Sequence, residues 1–336
     1  MNRFSVIQAR SIDEAAAALA PARQGARRVA LPQLKAGGMD LIDLMKEGIA
    51  EPPTLINLLT VEEAALRRID EGRFGALVTL AELAADAALL RTAPVIARSV
   101  ALAATPQVRN VATAAGSLLQ RPRCWYYRNH QFDCLKKGGS TCFAVEGENR
   151  HHAIFGGGPC HIVHPSNLAP ALVVCDGSVD LVGGDRTTLP IARLFHGPDR
   201  GSVLGEHTLE PGEIIVGIRY RPAPTSGFCA IKEKQSFDWP LVFACVALAL
   251  EGTTIAGARV CAGAVAPTPW PLPAVEEALR GVDLGDGAAL SRACAVAAEG
   301  ATPMRDNAFK VRLLPVAVRR AIEDAVRPAR AEEATP

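Results

Sequence analysis

The chain has 336 residues, 49% of them hydrophobic and 21% charged, with a formal net charge of +1. That length exceeds one ordinary core and predicts two or three domains. The near-neutral balance leaves no electrostatic footprint for nucleic acid or an acidic membrane, and the longest apolar run, at 241–250, is too short for membrane insertion.

The first residues run into a polar stretch without an apolar signal region, which predicts a cytoplasmic protein. Export to the periplasm beside a signal-bearing partner is the alternative. Residues 4–8 read as a strand, and Ser11 with Glu14 forms a capping box before an alanine-rich helix at 15–20. A second strand is predicted at 28–31, closely followed by Gly37 and Gly38, so the chain opens as a small βαβ unit ending in a glycine turn. Paired glycines let backbone N–H groups face a phosphate with no Cβ in the way, although most such pairs are only turns.

Strands are predicted at 54–58 and 73–78. Thr79 and Glu82 form a second capping box, starting a helix through Leu90, and Pro94 opens a further helix reaching about Ala104. A second small-residue turn follows at 113–117. Two such turns suit a ligand with two phosphates, or else the close packing of two backbones at a domain seam.

Four of the nine cysteines, Cys124, Cys134, Cys142 and Cys160, fall in one stretch with few aliphatic residues, separated by nine, seven and seventeen residues. A loop this poor in aliphatics cannot order itself by burial, which points to thiolates converging on a metal centre. Structural zinc sites usually bring cysteines in as close pairs, and none exists here. The wide intervals favour an iron–sulfur cluster, with Lys136, Lys137 and Arg150 offsetting its charge; zinc, with one of the flanking histidines, and four free thiols stay open. The other five cysteines sit singly in apolar surroundings as small core residues.

Beyond this loop, 172–175 and 179–182 read as a hairpin about the Asp176-Gly177 turn, and 213–220 as another strand. Residues 222–227 make the best linker. Strands at 229–234, 241–250 and 258–265 then precede helices at 274–280, 288–298 and 311–326, the order of an α+β domain with helices on one face of a sheet. The tail from Pro328 reads as disordered. No nucleophile–base pair stands out, so the chain is expected to relay electrons and leave substrate chemistry to another polypeptide.

Residues 36–41, 109–118 and 164–171, with 211–215, 236–242 and 266–270 in the same order, resemble the FAD-binding subunit of the molybdenum hydroxylases, the xanthine dehydrogenase and aldehyde oxidoreductase family. The cysteine run with Trp125, Tyr126 and Tyr127 is similar to the branch whose flavin subunit carries an extra [4Fe-4S] cluster, as in bacterial periplasmic aldehyde oxidoreductases; 4-hydroxybenzoyl-CoA reductase has a cluster-bearing flavin subunit too.

The resemblance implies an α+β fold in which residues 1–222 form a two-part FAD-binding domain, a small βαβ unit plus a mixed subdomain with an antiparallel sheet. It carries the iron–sulfur insertion at 121–163. A C-terminal antiparallel sheet with packed helices follows at 223–330, with 331–336 outside it. It further implies that Leu34, Lys35, Ala36, Gly37, Gly38, Met39, Asp40 and Leu41, with Ala104, Ala112, Thr113, Gly116 and Ser117, wrap the FAD pyrophosphate and ribityl chain. Ser166 and Asn167 would approach the flavin or its sugar, Ile215 would pack on the isoalloxazine, and Lys232 would lie near the ring.

Met39, Ser117 and Asn167 depart from the residues common there, threonine, asparagine and aspartate, and each changes one hydrogen bond. The implied partners are a molybdopterin-binding large chain and a small chain with two [2Fe-2S] clusters, and Cys124, Cys134, Cys142 and Cys160 would bind the [4Fe-4S] cluster. The competing readings are a zinc-stabilised scaffold and a free-standing flavin oxidase.

Overall fold

A computed structural model describes residues 1–19, 31–234 and 237–327. The expected strand at 28–31 and the tail from Pro328 lie outside the described residues, apart from Leu31. The chain opens with β1 (Ser5–Gln8) and α1 (Ile12–Leu19), then β2 (Gln33–Lys35), α2 (Leu41–Lys46) and β3 (Thr54–Asn57). These strands make a parallel sheet in the order β1-β3-β2, with Val6 opposite Leu55 and Leu34 opposite Ile56. Ser11 Oγ accepts from Glu14 N, while the Glu14 carboxylate reaches back to Arg10 N, one residue before the position a capping box uses.

The chain continues through β4 (Ile69–Asp70), β5 (Arg73–Gly75), α3 (Leu80–Ala85), α4 (Ala87–Thr92), α5 (Pro94–Ala101), α6 (Pro106–Arg109) and α7 (Ala114–Leu118). The expected strand at 73–78 ends at Gly75. The helix expected to run through Leu90 is broken: Asp86 turns its side chain to Leu89 N and starts a second helix. At Thr79 the reciprocal cap is complete, with Thr79 Oγ1 accepting from Glu82 N and Glu82 accepting from Thr79 N. Thr79→Ala is expected to lower the unfolding free energy by about 1 kcal/mol in urea denaturation, with Thr79→Ser restoring most of it; an unchanged midpoint would show that tertiary contacts alone hold α3.

After the cysteine loop come α8 (Leu168–Val174), β6 (Ser178–Val182), β7 (Thr188–Pro190), α9 (Ile191–Leu194) and β8 (Ile214–Arg219). The expected hairpin about Asp176-Gly177 is absent, because residues 172–174 are the end of α8. Pro170 sits in the first turn, where its missing N–H costs nothing, and Ser166 Oγ accepts from Ala169 N. Asp176, at φ +50°, and Gly177 then close the helix, with Gly177 N donating to Leu172 O at 2.7 Å. A sheet in the order β4-β5-β8-β6-β7, antiparallel throughout, faces α3, α5 and α8 across the largest apolar core.

The last part has β9 (Ser226–Ile231), β10 (Val242–Glu251), β11 (Thr254–Gly263) and β12 (Trp270–Pro271) in an antiparallel sheet, then α10 (Pro273–Leu279), α11 (Gly287–Ala295) and α12 (Phe309–Ala325) packed on it. This is the expected α+β order. One face of this sheet belongs elsewhere: Phe228, Phe243, Cys245, Cys261 and Ala264 join the large core of the preceding part. Ser226 Oγ accepts from Val95 N at the start of α5, and Asp324 of α12 takes both Arg98 and Phe228 N.

Candidate functional site

The glycine turn follows β2. Gly38 has φ +77° and its carbonyl accepts from Ile42 N, so the turn runs straight into α2. Gly37 packs backbone against backbone: a Cβ there would lie 2.1 Å from Val111 O. Leu34 and Ala36 are half-buried against the core of the parallel sheet, and Met39 is exposed. Asp40 turns its two carboxylate oxygens to Arg121 N, Arg123 and Arg128 of the cysteine loop.

Val111 leads into the second turn, so the two small-residue segments meet. Ala112 O accepts from Leu80 N, and Thr113 caps α7 by accepting from Gly116 N at 3.3 Å. Ser117 Oγ lies 3.3 Å from Ser166 Oγ, both buried. Asn167 is buried and donates to Ser99 O. The helix expected to reach Ala104 stops at Ala101, and Ala104 sits at φ +48°. Arg109 donates to the carbonyls of Ala103 and Ala104, and Lys232 donates to Leu102 O at 3.1 Å. Partial burial lowers the Lys232 pKa, with Asp238 opposing and Arg109 adding to the shift. Ile215 is 4% exposed, within the large core on β8. Packing and hydrogen bonds thus join Gly37 to Val111, Ser117 to Ser166, Asn167 to Ser99 and Lys232 to Leu102.

The cysteine loop is more ordered than its aliphatic content predicts, because aromatic side chains replace aliphatic ones. Tyr126, Phe132 and Phe143 pack ring to ring at 5.0 to 5.9 Å, and Tyr127 and Cys134 join Leu44, Met45 and Leu55 in a small core on the βαβ unit. Tight turns begin at three cysteines, whose carbonyls accept from Arg128 N, Gly139 N and Val145 N. All four cysteines line one small pocket of about 10 Å3, shared with Tyr126 and His152.

Cys124 Sγ lies 3.3 Å from His152 Nε2, and His152 Nδ1 is buried without a hydrogen-bond partner. A hydrogen bond from Cys160 lowers the pKa of the Cys142 thiol, while the same pairing and burial raise that of Cys160. Burial pushes Cys124 up to about 11. Among the described residues no three His, Cys, Asp or Glu side chains converge closely enough to hold a single metal ion.

Sequence reasoning missed two features. Lys136 is buried and pairs with Glu206 at 2.7 Å, which also takes Arg121, so the loop is pinned to residues 203–206. Lys310 of α12 is 1% exposed, donating to His152 O and Ala264 O behind the pocket. Neither lysine shows a buried character in its local pattern.

Residues 2–220 match the family described as the FAD binding domain in molybdopterin dehydrogenase, and residues 227–325 the CO dehydrogenase flavoprotein C-terminal domain. The aldehyde oxidoreductase FAD-binding subunit PaoB of Escherichia coli is 34% identical over 269 residues, covering 77% of this chain and 83% of PaoB. The carbon monoxide dehydrogenase medium chain of Afipia carboxidovorans is 26% identical over 332 residues, 96% of each chain. Among solved structures, quinoline 2-oxidoreductase from Pseudomonas putida 86 contains a chain that superposes with a TM-score of 0.72 at 20% identity, over 96% of this chain and 97% of that one. These matches place the chain in the family of FAD-binding subunits of molybdopterin dehydrogenases, as the flavin component of an oxidoreductase.

Proposed function

We propose that this chain is the flavin subunit of a multi-subunit molybdenum oxidoreductase acting on aldehydes or aromatic heterocycles, and that it binds a [4Fe-4S] cluster beside its FAD. The partners are a molybdopterin-binding large chain and a [2Fe-2S] small chain, from which electrons reach FAD. The observation that carries the reading is the convergence of Cys124, Cys134, Cys142 and Cys160 on one pocket, built on the same βαβ unit as the glycine turn. Four thiolates around one pocket suit a cubane cluster, which is held by four cysteines.

FAD, when bound, accepts electrons in pairs and passes them on singly, which suits a one-electron centre nearby. The residues of the chain hold the cofactors in place. Gly37, packed on the Val111 backbone, and Gly38, at positive φ, hold the first turn in shape, and Thr113 holds the second by accepting from Gly116 N and Ser117 N; the pyrophosphate would lie along these two turns. Ser166 and Asn167 lie next to that turn, Ile215 would pack on the isoalloxazine from β8, and Lys232, bonded to Leu102 O, would lie near the ring. His152 lines the pocket and meets Cys124 Sγ through Nε2.

Chain purified anaerobically is expected to carry one FAD and about four irons, the count of a cubane cluster. Cys134→Ser is expected to lose most of the iron and the broad visible absorption that overlies the flavin bands. Stoichiometric zinc with no iron, or a Cys134→Ser protein with unchanged iron, would refute the cluster.

A further inference from the structure

We propose that Asp40 is a positioning residue for the flavin cradle, gripped by three arginines of the cysteine loop, so that order in that loop and affinity for FAD are one coupled property. The inference rests on residues 34–41 lying against FAD. Asp40 follows Gly38 by two residues and precedes α2. Its Oδ2 accepts from Arg121 N at 2.8 Å, and its Oδ1 takes Arg128 Nη2 at 2.6 Å and Arg123 Nη2 at 3.0 Å. Arg128 also binds Asp43 Oδ2, one turn into the same helix, at 3.0 Å.

The arginines are themselves fixed. Arg128 N donates to Cys124 O, closing the turn that begins at the first cysteine. Its Nε and Nη2 donate to Pro122 O and Arg121 O. Arg121 reaches Glu206 and Leu204 O, and the Arg123 guanidinium lies 5.1 Å from the centre of the Trp239 ring. A shift of the turn at Cys124 therefore moves Arg128, and with it both carboxylates that start α2.

The electrostatics run the same way. A carboxylate directed at the diphosphate of FAD would repel it, whereas one bound by the side chains of Arg123 and Arg128 and by the Arg121 amide is neutralised and turned aside. The peptide N–H groups of the glycine turn are left facing the anion. Asp40 thus supports the cradle without touching the ligand, and the arginines set its shape before FAD arrives, which lowers the ordering cost of binding.

The test titrates FAD into flavin-stripped full-length chain and follows amide hydrogen exchange across residues 35–42. In the wild type, FAD is expected to slow exchange at 36–41. Arg128→Gln and the nearly isosteric Asp40→Asn are each expected to weaken FAD binding about tenfold and to speed exchange at 36–41 in the free protein. The double variant should bind no more weakly than the weaker single one. Unchanged affinity and exchange in Asp40→Asn would overturn the inference while the placement of FAD stands; so would a double variant whose loss is the product of the two. If FAD fails to slow exchange at 36–41 in the wild type, the placement itself is wrong and the inference falls with it. Asp40→Asn preserves side-chain volume, so a folded variant is available even if Arg128→Gln fails to accumulate.

Discussion

Gly37→Ala is expected to lose bound flavin and to lower the unfolding free energy by about 3 kcal/mol, the upper part of the usual range for overpacking. A Cβ at this position would sit 2.1 Å from Val111 O and 2.9 Å from Val111 C. Neither is the end of a flexible side chain, so relief requires the two backbones to part. Val111 runs directly into the turn at 112–117, so parting them would move both halves of the cradle together.

Gly38→Ala provides the internal comparison. The added methyl there meets Ile42 Cγ1 at 3.1 Å and the Lys35 side chain, which can give way, and the main cost is the positive φ of 77°, about 1–2 kcal/mol. Urea titration with fluorescence, together with the flavin released on heating, measures both quantities. A Gly37→Ala protein as stable and as yellow as the wild type would show that the two backbones separate at little cost.

Raising the pH from 7 to 9 is expected to stabilise the wild type relative to Lys310→Met. Burial lowers the Lys310 ammonium to about 7 in the folded chain, against about 10.4 when exposed in the unfolded chain. Between these values the unfolded state holds a proton that the folded state has released, so stability rises with pH, by up to about 1.4 kcal/mol per unit for this group. Below pH 7 both states are protonated and the full cost of burying the charge is present; it is relieved as the pH climbs toward the unfolded value. Lys310→Met removes the titration and also the hydrogen bonds to His152 O and Ala264 O. Urea midpoints of the two proteins at several pH values give the difference directly, and a constant difference from pH 7 to 9 would refute a depressed Lys310.

The local signals that the chain displays openly are those with a single physical cause. Thr79 with Glu82, Pro94 and the strands β9 to β11 follow capping, fixed φ and apolar runs, and the structure has them where the sequence places them, within a few residues. The helix α8 was hidden because every side chain but Val173 is buried. An apolar run covered on all sides has no polar phase to distinguish period 3.6 from period 2, and Asp-Gly serves a helix end as well as a hairpin.

Gly37 and Gly38 were legible as a tight turn, because what they do there is done by the backbone. The grip on Asp40 was not, since its partners lie 81 and 88 residues away. Lys310 follows Phe309 in a segment whose arginines and lysine suggest a solvated helix face, and only the tertiary fold turns it inward. The cysteines were legible as a set, but their spacing did not report the aromatic packing that orders the loop between them.

The large core that takes Phe228, Phe243, Cys245, Cys261 and Ala264 from the last sheet also limits modularity. Two stretches that match separate families are, in this molecule, halves of one casting: the surface of each is the mould of the other. A chimera that grafts the C-terminal stretch of a relative onto this N-terminal stretch would inherit rings and methyl groups cut for another mould. Voids or clashes would then form directly behind α5 and α8, so successful recombination within the family requires exchanging the facing residues together with the segment that carries them.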